Sequence, residues 1–167
     1  MAFLTNGTIG ADLTALVAGT GTSSNEGNQF ALGTKAPGSN GTTWMYVHAS
    51  GAIDQYDFVS IDENGEATAM ADASGTALHT PGVAQVAFAD NDFGWVCIDA
   101  PMGNVNGNIL ASCAADTDGL YTTATAGHLD DATSAGAVRV YGIHAVAAAA
   151  GAATNKEVMI QSARFGT

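Results

Sequence analysis

The sequence predicts an all-β protein: a compact β-barrel or β-sandwich built from two related β units, with an extended N-terminal arm. Three observations predict it. Gly supplies 21 of 167 residues, and Ala, Thr, Ser, Asn and Asp fill much of the rest, the vocabulary of short strands joined by tight turns. Apolar runs are short and bounded by Gly, Asn and Asp rather than spaced at helical intervals. Three strand-like segments also recur in the same order about 60 residues further on, an offset read directly from the sequence.

The arm occupies residues 1–28. Its polar stretch Gly19–Asn28 contains no apolar side chain and reads as a linker. Leu13, Leu16 and Val17 have the spacing of one or two helical turns, but the flanking glycines favour an extended arm that orders on a partner. From residue 29 to 167 the β signals recur. Trp44–Ala49 places large residues on both faces of a strand. Phe58–Ile61 runs into Asp62-Glu63-Asn64-Gly65-Glu66, whose Asn-Gly pair predicts a hairpin. Further strands are expected at Gly82–Phe88, Trp95–Ile98, Leu120–Thr123, Val138–Tyr141 and Glu157–Gln161.

In the repeat, Phe58–Ile61 followed by Gly65 answers to Leu120–Thr123 followed by Gly127. Gly82–Ala87 answers to Gly142–Ala147, and Trp95–Ile98 to Glu157–Ile160. The repeat decides a conflict at Ile143–Ala153, an Ala-rich stretch that propensity alone makes helix. Its counterpart alternates like a strand, so a strand is expected there, with a short helix as the alternative. Two such units pair into one barrel or sandwich with few free edges.

Charge narrows the partners. The net charge is −12, and the only basic residues besides histidine are Lys35, Arg139, Lys156 and Arg164. Binding nucleic acid or an anionic membrane needs clustered Lys and Arg, and none cluster along the chain. No run of 18 apolar residues suggests a membrane helix. The opening Met1–Gly7 has neither the basic nor the apolar region of a secretory leader, so synthesis in the cytoplasm is expected. Cys97 and Cys113 lack zinc or redox spacing and read as reduced, buried small hydrophobes.

No enzymatic pattern stands out. His48, His79, His128 and His144 lie in separate segments without metal-ligand spacing. Asp90-Asn91-Asp92 and Asp62–Gly65 resemble fragments of calcium loops, but the order of ligands is wrong and a turn explains them. There is no nucleophile elbow and no phosphate loop. The expectation is a non-enzyme without a cofactor. Trp44, Tyr46, Tyr56, Phe58, Phe93 and Trp95 are expected in the core by default. Candidate protein-contact residues are Phe3, Leu4, Leu13 and Leu16 of the arm, with Trp44 and Trp95, since Trp is enriched at interface hot spots.

Leu32–Gly38, Trp44–Val47, Gly51–Asp57, Gly82–Val96 and Leu120–Asp131 together resemble the Gly/Ala-rich capsid decoration (head cement) proteins of tailed phages. The resemblance spans about residues 30–165 and rests on overall pattern. It implies a virion protein, made in the host cytoplasm, that binds the major capsid protein on the outside of an assembled shell, commonly as a homotrimer. It implies no catalytic residues. A phage tail or head-fibre component is the nearest rival. A carbohydrate-binding adhesion module, with Trp44, Tyr46 and Trp95 as its stacking platform, is the rival from another class.

Overall fold

In the computed structural model, residues 12–19, 29–72, 78–115 and 119–166 are described. Among them the strands are β1 Lys35–Pro37, β2 Thr43–Ala49, β3 Phe58–Ile61, β4 Glu66–Ala69 and β5 Thr80–Ala84. There follow β6 Phe93–Ile109, β7 Leu120–Thr122, β8 Leu129–Asp130, β9 Arg139–Ala145 and β10 Thr154–Phe165. The all-β expectation holds, and the pairing shows how the two units are joined.

Hydrogen bonding closes the strands into two rings. In the first, β2 pairs with β4, β4 with β3, β3 with β5, β5 with the start of β6, and β6 returns to β2. In the second, the far half of β6 pairs with β10, β10 with β9, β9 with β7, β7 with β8, and β8 returns to β6. Each ring contains four antiparallel pairings and closes through one parallel pairing, Ala49↔Ala67 in the first and Ile109↔Leu129 in the second. β6 is therefore the last strand of one ring and the first of the next.

The sequence repeat is this topology. β3 corresponds to β7, β5 to β9 and the start of β6 to β10, as the three matched segments predict. The turn glycines Gly65 and Gly127 both adopt left-handed φ, +83° and +76°. The Asn-Gly signal also delivers its hairpin: β3 and β4 pair in the register Val59↔Ala69 to Ile61↔Ala67. Two correspondences escape the sequence comparison, β2 with the far half of β6 and β4 with β8.

β6 spans 17 residues because it bends between the rings. Val158 faces Val105 and Ile160 faces Ala100, so Pro101–Asn104 oppose the single residue Met159. Gly103 and Asn104 take φ of +75° and +71°, and Pro101 is tolerated because the ladder is interrupted there. The backbone N–H of Asn104 donates instead to Glu157 Oε1 at 3.0 Å.

Two apolar clusters follow from side-chain alternation. Met45, Val47, Ala49, Ile53, Val59, Ile61, Ala67, Ala84, Phe88 and Val96 form the interior of the first ring. The opposite faces of its strands, with Trp44, Tyr46, Phe58, Phe93 and Trp95, join the interior of the second ring and the N-terminal segment in a larger cluster. Phe58 shows the join best. Its ring fills the position of the missing Cβ of Gly107 on β6, so one ring plugs the wall of the other.

Some expectations need correction. β9 ends at Ala145 and residues 146–153 are turn, not strand. Ala149 is instead bonded to the backbone of Ser112 and Cys113 and is buried, which pins an otherwise exposed Ala-rich loop to the body. Residues 85–88 likewise leave the sheet, apart from a bridge between Phe88 and Ile53. Residues 12–19 of the arm do not wait for a partner: Leu13 is buried, and Val17 bridges to Phe93 on the edge of β6.

Gly142 on β9 combines a φ of +77° with the backbone of Gln161 and Ala163 packed where a Cβ would stand. Gly142→Ala is expected to cost at least about 2 kcal/mol by urea unfolding, from left-handed strain and overpacking together. Gly41→Ala, at φ +75° with open space around it, should cost only about 1 kcal/mol.

Candidate functional site

A cluster of polar side chains lies in the seam between the rings. The turn Asp54–Asp57 leads into β3, and its Tyr56 holds a left-handed φ of +71°. Two bonds fix that strained residue: Tyr56 N–H donates to Ala84 O at 2.8 Å, and Asn108 N–H donates to Tyr56 O at 2.9 Å. Gln85 and Asn106 add a reciprocal pair, with Gln85 Nε2 donating to Asn106 O and Asn106 N–H to Gln85 Oε1. Asp57, 5% exposed, sits at the centre. It accepts from Asn108 Nδ2 at 2.9 Å and from Asp54 N–H at 3.0 Å, and it fills the space left by Gly127. Burial pushes its carboxyl above the ordinary aspartate range, against the opposing bonds from Asn108 and Asp54.

Two further clusters bring together residues that the sequence leaves far apart. Ser60 Oγ lies 2.8 Å from His79 Nδ1, a nucleophile–base distance. The serine is 3% exposed, however, so its hydroxyl is closed to a substrate. Cys113 Sγ and one oxygen each of Asp130 and Asp131 lie within 4.8 Å of one another. Metal binding there requires a thiolate, and burial, reinforced by Asp131, pushes the Cys113 thiol up to about 11. Asp131 is already engaged, accepting from Ala114 N–H at 3.0 Å.

The calcium-like fragments serve their own turns. Asp62 accepts from Asn64 N–H, Asn64 Nδ2 and Glu66 N–H. Partial burial works to raise its pKa, but the bonds from Glu66 and Asn64 outweigh it and hold the carboxyl below the ordinary range. Asp92 accepts from Ala89 N–H across the turn at Asn91, which has a φ of +69°.

Among the described residues, two open clefts lie at the surface. One, of about 320 Å³, lies where β6 leaves the first ring and is lined by Lys35, Thr80, Asp99 and Ser162 among others. The second, of about 300 Å³, lies on the outer face of the second ring between Arg139, Tyr141, His144 and Arg164. The sequence reading passes over these arginines because they stand 25 positions apart and only the pairing of β9 with β10 unites them.

The predicted contact residues separate by burial. Trp44 and Trp95 are 4% and 3% exposed and Leu13 is 1%, so in this fold all three are core residues with almost no surface to offer. Trp44 Nε1 is satisfied internally by Thr42 Oγ1 at 2.9 Å. Trp95 packs edge-on against Tyr46 and Phe30. Leu16 is 37% exposed and is available. Phe3 and Leu4 lie outside the described residues. No helix among the described residues is long and apolar enough to cross a membrane. Comparison with protein-family models, with curated proteins and with solved structures finds no match to this chain.

Three outcomes follow. Acrylamide should quench tryptophan fluorescence weakly in the native protein and strongly after unfolding, since both indoles are buried. The two free thiols, Cys97 pushed up to about 12 and Cys113 to about 11 by burial, should ignore a disulfide reagent at about pH 8 until the chain unfolds. Asp57 binds its proton more tightly folded than unfolded, so its contribution to stability rises as pH falls through the window just above the ordinary aspartate range. Urea midpoints over that window should therefore shift in favour of the wild type relative to Asp57→Asn.

Proposed function

We propose that this chain is a structural virion protein that binds the outer surface of an assembled phage capsid and stabilises it by bridging neighbouring capsid subunits. The observation that carries this reading is the single strand β6 built into both rings. A protein that cements a shell must transmit load between two contact points. A strand that runs without a break in the chain from one ring into the other, and is paired to neighbours within each, shares that load among many bonds. The closed rings leave few strand edges, which suits a protein displayed in many copies without aggregating.

The surplus of 16 acidic over 4 basic residues keeps free copies apart and complements a basic rim on a shell. The resemblance to decoration proteins adds the major capsid protein as partner and a homotrimer as the working form. Many weakly bound copies on one particle gain from such multivalency. Burial of Trp44, Tyr46 and Trp95 removes the stacking platform on which a sugar-binding reading depends.

Purified chain mixed with empty expanded shells should pellet with them and saturate at a fixed ratio to the capsid subunit. Truncation should remove residues 1–11 only, because Leu13 and Val17 belong to the body, and reduced binding by that variant would assign the contact to the arm. Absence of binding to expanded shells would overturn the reading in favour of a tail or head-fibre component.

A further inference from the structure

We propose that the Asn40–Gly41 step, in the turn between β1 and β2, is a site of spontaneous covalent modification. There the asparagine amide is lost as ammonia, and aspartate and isoaspartate take its place. The reaction needs an asparagine amide that nothing holds, a following residue without a side chain, and a backbone able to rotate until the two meet. It is independent of any shell. Three Asn-Gly steps fall among the described residues, at 40, 64 and 106, and the fold treats them differently. Asn6-Gly7 lies outside the described residues.

Two of the steps are held shut. Asn64 Nδ2 donates to Asp62 Oδ2 at 3.2 Å, and Asn64 N–H donates to Asp62 Oδ1 at 2.9 Å. Gly65 is buried, with Leu32 Cβ 2.8 Å from where its own Cβ would stand. Asn106 is clamped by Gln85, its N–H donating to Gln85 Oε1 at 3.1 Å and its O accepting from Gln85 Nε2 at 2.8 Å. Gly107 is buried under the Phe58 ring and faces Lys156 in the ladder. Asn40 differs on each count. Asn40 and Gly41 are both exposed, and no atom lies within 4 Å of where a Gly41 Cβ would be. Among the described residues no hydrogen bond holds the Asn40 amide. The turn is closed at its base, where Gly38 N–H donates to Thr42 O at 2.8 Å and Thr42 Oγ1 donates to Ser39 O at 2.9 Å.

The chemistry consumes water and no other reactant. The Gly41 backbone nitrogen gives its proton to solvent base and attacks Asn40 Cγ. The new C–N bond closes a cyclic imide, and the side-chain nitrogen leaves as ammonia. Water then opens the ring: breaking the bond at Cγ gives aspartate, and breaking the bond at the main-chain carbonyl gives isoaspartate. Nothing is oxidised or reduced. Ring closure requires rotation about the Asn40 Cα–C bond from its ψ of 29°. An exposed turn with open space beside its glycine allows that rotation, whereas Asn64 and Asn106 must first break the contacts that hold them. Either product places a carboxylate where a neutral amide stood, and isoaspartate adds a methylene to the backbone of the hairpin turn.

The test holds the full folded chain in mildly alkaline buffer made with heavy-oxygen water and samples it over time. Peptide mapping by mass spectrometry follows each Asn-Gly step, with isoaspartate separated from aspartate by chromatographic retention. Conversion at Asn40 should run at least about tenfold faster than at Asn64 or Asn106, which react only from locally opened states. In urea the three steps should converge on similar rates, because the protection belongs to the fold. Both isomers should form at Asn40, each carrying heavy oxygen. Gly41→Ala should slow conversion at Asn40 about tenfold, since its Cβ crowds the attacking nitrogen. The same slowing in urea separates that chemistry from any change in the turn. Equal rates at the three steps in the folded chain overturn the proposal. So do aspartate as the sole product at Asn40 and indifference of its rate to Gly41→Ala.

Discussion

The structure depends on β6 being continuous through both rings. Each ring is closed by hydrogen bonds, and each needs part of this strand to close. Its first half carries Trp95 and Val96 into the two faces of the first ring, and its second half carries Val105 and Ile109 into the second. The Pro101–Asn104 bend lets one strand serve both curvatures. Phe58, seated over Gly107, and Asp57, seated over Gly127, then lock the rings side by side with one apolar and one polar contact. Both contacts need a glycine on the receiving side, so the glycine content of this chain reflects close approach between units as well as turns.

The fold class and the duplication were legible in the sequence because both are written in local pattern. Phe58–Ile61 alternates and ends in an Asn-Gly turn, and Leu120–Thr123 repeats the arrangement with its own turn glycine. The shared strand was not legible. Residues 100–109, Ala-Pro-Met-Gly-Asn-Val-Asn-Gly-Asn-Ile, are rich in turn formers, and the period-two burial of Val105, Gly107 and Ile109 is masked when one of its inward positions is glycine. The Ala-rich 146–153 stretch misled in the opposite sense. The repeat carried a strand onto residues that tertiary bonds from Cys113 hold as a loop.

The candidate sites divide in the same way. Sequence reasoning treated the aromatics as core by default; the burial of Trp44, Tyr46, Phe58, Phe93 and Trp95 agrees, while Tyr56 is only half-buried and lies outside both apolar clusters. Their alternative role as interface anchors has no surface to act through. The arginine cleft, the Ser60–His79 pair and the Cys113–Asp130–Asp131 group were invisible because each is assembled by strand register rather than by spacing. Strained residues were invisible too: nothing in the sequence around Tyr56 announces a left-handed tyrosine, which exists because Ala84 and Asn108 hold it from two sides.

Sharing a strand also constrains how the molecule can form. The first ring cannot close until β6 reaches back across some fifty residues to β2, and the second needs β10 to return over a similar span to the same strand. Entropy lost in closing such long loops must be spent before the contacts that reward it exist, which makes assembly slow. Withdrawal of β6 as a whole would open both rings, which couples the unfolding of the two units. Such non-local pairing favours slow folding, with the two units forming as one cooperative body rather than in sequence.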